Sequence, residues 1–237
     1  MRIALLQADH IPDHRRGVSG GNYPEMFSNM FLKVDAIVDI DTFDVTIGEY
    51  PQDEHQYDGF IISGSKFSAY NDDAWINALK SYICQLKDNK HKLVGICFGH
   101  QVIAEALGGK VEYAEHKGVG IGVQTVQILK RLEWMIPFEE YMSLLFYHQD
   151  QVIDLPEGAE VLAYNDFCEV QMYHIDNQVF GVQAHPEMMR AHNHLLIQEL
   201  AEKGVDMNDI QSAIDTLRLR DHSMVVGMWI ARFFEEE

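Results

Sequence analysis

Cys97, His185 and Glu187 are residues whose types and surroundings suggest covalent chemistry. Cys97 is the third residue of the run Gly95-Ile96-Cys97-Phe98-Gly99-His100-Gln101. Lys92-Leu93-Val94 before it has the apolar character of a buried strand. Val102 to Leu107 after it is rich in helix formers and stops at Gly108-Gly109. The pattern predicts a tight strand-to-helix turn, a nucleophile elbow with cysteine in place of serine. Glycines two before and two after the cysteine let the backbone turn and keep side chains away. A thiol there faces the positive end of the helix dipole, which favours the thiolate. The backbone N–H of Phe98 points where an oxyanion would form. By itself a G-x-C-x-G run equally fits a buried structural cysteine beside a glycine-rich turn.

The second pattern is Val179 to Glu187 (VFGVQAHPE). Val179 to Gln183 reads as a strand that ends at His185-Pro186-Glu187. Residues two apart on an extended segment share a side, and Pro186 stiffens the link, so His185 and Glu187 can project together. A cysteine nucleophile needs a base to hold the thiolate and to protonate the leaving group. The base in turn needs an acceptor to fix its tautomer. Cys97, His185 and Glu187 supply those three roles. Alone, His-x-Glu is a common surface pairing. A metal site would need a third and fourth ligand at suitable spacing, and none stands out, so neither metal nor cofactor is expected.

The elements that must position these residues follow from the apolar pattern. Arg2 to Gln7 reads as a first central strand, and residues 8 to 24 read as a long polar loop. A helix is expected around Glu25 to Phe31, a strand at Phe43 to Ile47 and a buried strand at Gly59 to Ile62. Ser63-Gly64-Ser65 then forms a turn able to offer a second backbone N–H. Asp72-Asp73 can cap a helix from Ala74 to Lys87. This alternation predicts an α/β fold with a doubly wound, mainly parallel sheet and helices on both faces, its site at the carboxyl ends of the strands. Beyond Lys110 the pattern changes. Val111 to Tyr113, Gly120 to Ile128, Leu144 to Tyr147, Ala159 to Tyr164 and Val170 to His174 predict an antiparallel extension. Helices are expected near Met189 to Glu202, Asn208 to Leu217 and Met224 to Phe234.

Composition bounds the function. The 237 residues carry a formal charge of −19 and are 47% hydrophobic, the balance of an ordinary globular protein. Such a charge argues against a nucleic-acid partner. Three cysteines in no framework spacing suggest a reducing compartment. No membrane-length apolar run and no signal peptide are visible, so a cytoplasmic protein with no membrane partner is expected. No linker or repeat divides the chain, which reads as one domain over residues 1–237.

Taken together, GICFGHQ and AHPE resemble class I glutamine amidotransferases, the triad-type glutaminases, in type, order and spacing. The resemblance covers essentially the whole chain. It implies a flavodoxin-like core of seven strands and a Cys97 that attacks a glutamine or γ-glutamyl side-chain amide. Phe98 and the turn at Gly64-Ser65 would then hold the oxyanion. Gln101 and the segment His148-Gln149-Asp150 would contact the substrate. The family's oxyanion turn is often S-G-G-P; here Ser65 and Lys66 stand in its last two positions. The variants are more similar to stand-alone members, including γ-glutamyl peptidases, than to domains fused to synthetases. Three functions are therefore carried forward. One is a γ-glutamyl hydrolase acting on a small molecule. Another is a glutaminase component delivering ammonia to a separate synthetase. The last is a non-catalytic binding protein on this scaffold.

Overall fold

A computed structural model describes residues 1–115 and 117–236. The parallel half of the sheet is built from β1 (Arg2–Gln7), β2 (Asp39–Asp44), β3 (Gly59–Ile62), β4 (Leu93–Ile96) and β11 (Val179–Val182). The antiparallel half is β6 (Gly120–Ile128), β7 (Tyr141–His148), β9 (Ala159–Tyr164) and β10 (Met172–Ile175). Among the described residues these make one nine-stranded sheet in the order β2-β1-β3-β4-β11-β10-β9-β6-β7. The resemblance implied seven core strands; here the antiparallel strands continue the same sheet. β5 (Lys110–Tyr113) does not join it. It pairs instead with β8 (Asp150–Asp154) in a separate two-stranded ribbon.

The side-chain alternation of β1 explains why helices cover both faces. Ile3 and Leu5 point into one core with Phe27 and Met30 of α2 (Tyr23–Lys33) and Trp229 and Phe233 of α7 (Ser223–Glu235). Ala4 and Leu6 point into the other, with Ile76, Leu79 and Ile83 of α3 (Ala74–Asp88) and Val102 and Ile103 of α4 (Phe98–Ala106). Each such buried side chain contributes about 1.5–3 kcal/mol relative to exposure. A third cluster, with Ile121, Ile197, Leu200 and Ile210, seats α5 (Arg190–Glu202) and α6 (Met207–Thr216) against β6.

Three expectations are corrected. The second strand is Asp39–Asp44, not Phe43 to Ile47. It is an edge strand with acidic residues, and Val45–Ile47 is a single 3-10 turn whose Thr46 N–H donates to Asp44 Oδ1 at 3.0 Å. Residues 8 to 24 are not all loop. They contain α1 (Asp13–Ser19), closed by Gly20 at φ 84°, and α2 already starts at Tyr23. Asn22 leads into α2, its N–H donating to Glu25 Oε2 at 2.8 Å and its Oδ1 accepting from Ile11 N–H at 2.8 Å. Finally, Asp73 precedes α3 without a side-chain cap bond, and Asp72 accepts from the Asn77 side-chain amide at 2.8 Å.

Candidate active site

Cys97 joins β4 to α4 with φ 52° and ψ −103°, a backbone conformation that side-chain-bearing residues rarely adopt. Such a conformation costs about 1–3 kcal/mol and persists only where the surroundings enforce it. Here the Cys97 N–H donates to the Val182 carbonyl at 2.8 Å, and its own carbonyl accepts from Gln101 N–H at 3.0 Å. The flanking glycines serve space rather than dihedral freedom. A Cβ on Gly95 would sit 2.5 Å from the Gly99 carbonyl carbon, and one on Gly99 would sit 2.2 Å from the Ile62 oxygen. Only glycines let α4 begin this close to β3 and β4. Phe98 opens α4, so its N–H is one of those a helix leaves without an internal partner.

His185 follows the end of β11 and is fixed by its main chain, whose N–H donates to the Leu145 carbonyl of β7 at 2.9 Å. The antiparallel half therefore curls back until its last strand meets the end of β11. His185 Nδ1 lies 2.8 Å from Glu187 Oε1, and both residues are buried. His185 and Cys97 line the same cavity. Burial alone would strip the imidazole of its proton, but the charges of Cys97 and Glu187 outweigh it and hold its pKa well above the ordinary value. The arrangement sets an imidazole, paired to a buried carboxylate, in the same cavity wall as the Cys97 thiol. The other two cysteines differ. Cys84 is half-buried with its Sγ on the Ala106 carbonyl at 3.2 Å, and burial pushes the Cys168 thiol up to about 12.

The turn at Ser63 to Lys66 lies against this group. A Cβ on Gly64 would approach His185 Cε1 to 3.0 Å. The two departures from the family's turn have local explanations. Ser65 Oγ donates to the Ala8 carbonyl at 2.9 Å. Lys66 donates to Asp9 from both its backbone N–H and its Nζ, each at 3.0 Å. The turn is thus tied to the segment after β1.

Two cavities meet at Cys97. One, of about 310 Å³, is lined by Cys97, Gln101, Tyr147, His148, Gln149 and Asp150 among others. In it Gln101 Nε2 donates to the Asp150 carbonyl at 2.8 Å and to Gln183 Oε1 at 3.0 Å. His148 Nδ1 lies 3.0 Å from the same carbonyl, which makes it the protonated nitrogen. Burial keeps this ring neutral, with a pKa down to about 4. Gln101 and His148 thus hold the Asp150 backbone as well as lining the cavity. Tyr70 closes the rim, its hydroxyl donating to Asp150 Oδ1 at 3.1 Å. The second cavity, of about 290 Å³, includes Cys97, His185, Tyr23, Met188, Arg15 and His192. Residues 9 to 12 form part of its wall, so the segment after β1 does reach the cysteine's surroundings. Tyr23 and His192 carried no sequence signal. Tyr23 is buried, and burial together with the charges of Asp9, Glu187 and Cys97 raises its phenol pKa.

Among the described residues no cluster of three or more His, Cys, Asp or Glu side chains is placed to hold a metal ion. No helix of those residues is long and apolar enough to cross a membrane.

Residues 19–203 match the family model described as glutamine amidotransferase class-I. The chain is 41% identical over 160 residues to gamma-glutamyl peptidase 4 of Arabidopsis thaliana, a match covering 63% of this chain and 62% of that protein's length. It is 28% identical over 170 residues to one of the subunits of the glutamine-hydrolyzing GMP synthase of Sulfolobus acidocaldarius, covering 71% of this chain and 86% of the relative. Its fold is similar to that of a glutamine amidotransferase from Thermotoga maritima, with a TM-score of 0.79 at 20% identity, covering 100% of this chain and 99% of the other.

Proposed function

The chain belongs to the class I glutamine amidotransferase family, and from that premise we propose that it is a stand-alone hydrolase of γ-glutamyl amide bonds. The observation that carries the reading is the strained Cys97 sharing a cavity wall with a His185 that is itself paired to Glu187. Cys97 Sγ attacks the γ-carbonyl carbon, and the carbonyl electron pair moves onto oxygen. The backbone N–H groups of Phe98 and of the Gly64-Ser65 turn receive that oxyanion. As it collapses, the carbon–nitrogen bond breaks and the His185 imidazolium protonates the departing amine. A γ-glutamyl thioester remains on Cys97. His185, now neutral, takes a proton from water, whose oxygen attacks the thioester. Glutamate leaves, and the thiolate–imidazolium pair is restored. Glu187 holds the ring orientation and stabilises its charge. Gln101 and His148 to Asp150 line the γ-glutamyl side, directly or by shaping the backbone there.

The gamma-glutamyl peptidase relative and the second cavity beyond His185 favour a free-standing small-molecule hydrolase. The GMP synthase relative supports the alternative, a glutaminase that hands ammonia to a separate synthetase. Kinetics of the purified protein on glutamine and on γ-glutamyl peptides test the two. Peptide cleavage by the isolated chain supports the hydrolase. Glutamine hydrolysis that rises only with an added synthetase, with no peptide cleavage, replaces it by the ammonia-delivering reading. In either case Cys97→Ser should lose at least about 10³-fold in turnover, because an alkoxide forms far less readily than a thiolate. A glutamine-like alkylator should label Cys97 and spare Cys84 and Cys168. Equal labelling of all three cysteines excludes a dedicated nucleophile.

A further inference from the structure

His185 delivers its proton to the departing nitrogen, so the amine side of the reaction is the cavity that His185 lines. Ammonia would need none of that 290 Å³. The walls there are built for something larger. Ile11, Met26, Met188 and Leu196 supply apolar and polarisable surface. Against this surface stand polar groups without partners. His192, on α5, is only 2% exposed, yet neither ring nitrogen has a hydrogen-bond partner among the described residues. Burial, together with the nearby cations His185 and Arg15, pushes its pKa down to about 4, so at neutral pH it is an uncharged ring with one donor to offer. Leaving such a group unpaired costs about 1–3 kcal/mol.

Arg15, on α1, is the second. Its Nη2 donates to Glu199 Oε2 at 2.6 Å, which ties α1 to α5 across the cavity. Its Nε is buried and has no partner among the described residues. The charges in this wall otherwise cancel in pairs: Lys66 with Asp9, and Arg15 with Glu199. Lys203 reaches the same cavity from an exposed position at its rim. The cavity therefore has unmet N–H donors beside an apolar surface. That is the complement of an apolar side chain next to a carboxylate.

We propose that this cavity is a leaving-group subsite for an amino acid or short peptide bearing a free carboxylate and an apolar side chain, with His192 and the Arg15 Nε–H as its specificity-determining donors. The assignment rests on the γ-glutamyl hydrolase reading above. It predicts that two contacts absent from glutamine decide substrate choice, and that both lie on helices outside the elbow.

Calorimetry on the Cys97→Ser protein, whose turnover is expected to be slow enough for binding to be read, tests this with three probes: γ-glutamylmethionine, its C-terminal amide, and glutamine. The dipeptide should bind at least about tenfold tighter than either of the others, as one charge-assisted hydrogen bond is worth that much. In the same background Arg15→Lys keeps the charge and can keep the Glu199 pair, but loses the Nε–H. His192→Leu fills the space without a donor. Each should bring dipeptide binding down to the glutamine level and leave glutamine binding unchanged. His192→Leu should also raise Tm, because it removes an unpaired buried polar ring; a merely structural histidine would lower it. Equal binding of the three probes, no binding of the dipeptide, or a parallel loss of glutamine affinity in the variants overturns the subsite. The hydrolase reading fails separately, by the absence of a glutamyl adduct on Cys97 when the unaltered protein is mixed with glutamine or with any γ-glutamyl peptide and followed by mass spectrometry.

Discussion

His185 is poised by two opposing influences of unequal size. Burial disfavours its charge, while Cys97 and Glu187 favour it and prevail. Replacing Glu187 by Gln keeps an oxygen for Nδ1 but removes a negative charge, so the imidazolium becomes easier to deprotonate. The alkaline limb of kcat/KM, where His185 loses its proton, should therefore move to lower pH in Glu187→Gln. His185→Ala should remove most activity at every pH. An alkaline limb that does not move in Glu187→Gln would assign it to some other group. At this scale the sequence exposes what chain order can carry: a cysteine between two glycines, and a histidine and glutamate on one side of a strand end. It does not expose Tyr23 or His192. Their surroundings combine sequence neighbours with distant residues such as Cys97 for Tyr23 and Arg15 for His192, a combination that no local spacing encodes. Gln101 is the intermediate case. Its position is legible, but its bonds to Asp150 and Gln183 depend on a sheet order that the motif does not contain.

The elbow is an element defined by contact as much as by sequence. Because a Cβ on Gly99 would meet the Ile62 carbonyl at 2.2 Å, Gly99→Ala should push α4 off the sheet. A loss of stability of about 1–3 kcal/mol is expected, read as a lower urea midpoint, together with a fall in activity as Phe98 N–H moves. The strain at Cys97 has its own signature. Cys97→Gly relaxes the φ of 52° and Cys97→Ala does not, so the glycine variant should be the more stable by about 1 kcal/mol or more. Equal stabilities would mean that the backbone there relaxes freely. Buried strands such as Gly59–Ile62 are legible because helices cover both faces and the residues run apolar without a break. β2 escapes the same reading because it lies at an edge and mixes three aspartates with only two apolar residues. α1 escapes because its seven residues include a glycine and no apolar stripe; it is held by tertiary bonds such as Arg15 to Glu199.

At the scale of the molecule, three buried histidines set its response to acid. His100, His148 and His192 are held neutral, with pKa values pushed by burial from 6.5 down to about 3, 4 and 4. Their folded values lie below the unfolded one, so the unfolded chain binds their protons first. The stability they permit is complete above about pH 6.5 and is lost as the pH falls towards 4, at about 1.4 kcal/mol per pH unit for each. The −19 charge works the other way, since acid relieves its self-repulsion. The histidine effect is the larger between pH 6.5 and 5, before carboxylates titrate. Urea midpoints should fall over that interval, and a flat profile there would show that the rings find proton acceptors. The overall architecture was legible from the alternation of strand and helix, whereas the curl that brings β7 back to the end of β11 was not. That curl divides custody of the site. Cys97 is secured in the parallel centre through Val182, while His185 hangs by its amide from Leu145 in the outermost strand. A chain that loosens only at this edge keeps the proposed nucleophile seated and loses the proposed base beside it. Under mild heating, then, the protein should fall silent before it melts, and cooling should restore it without refolding the core.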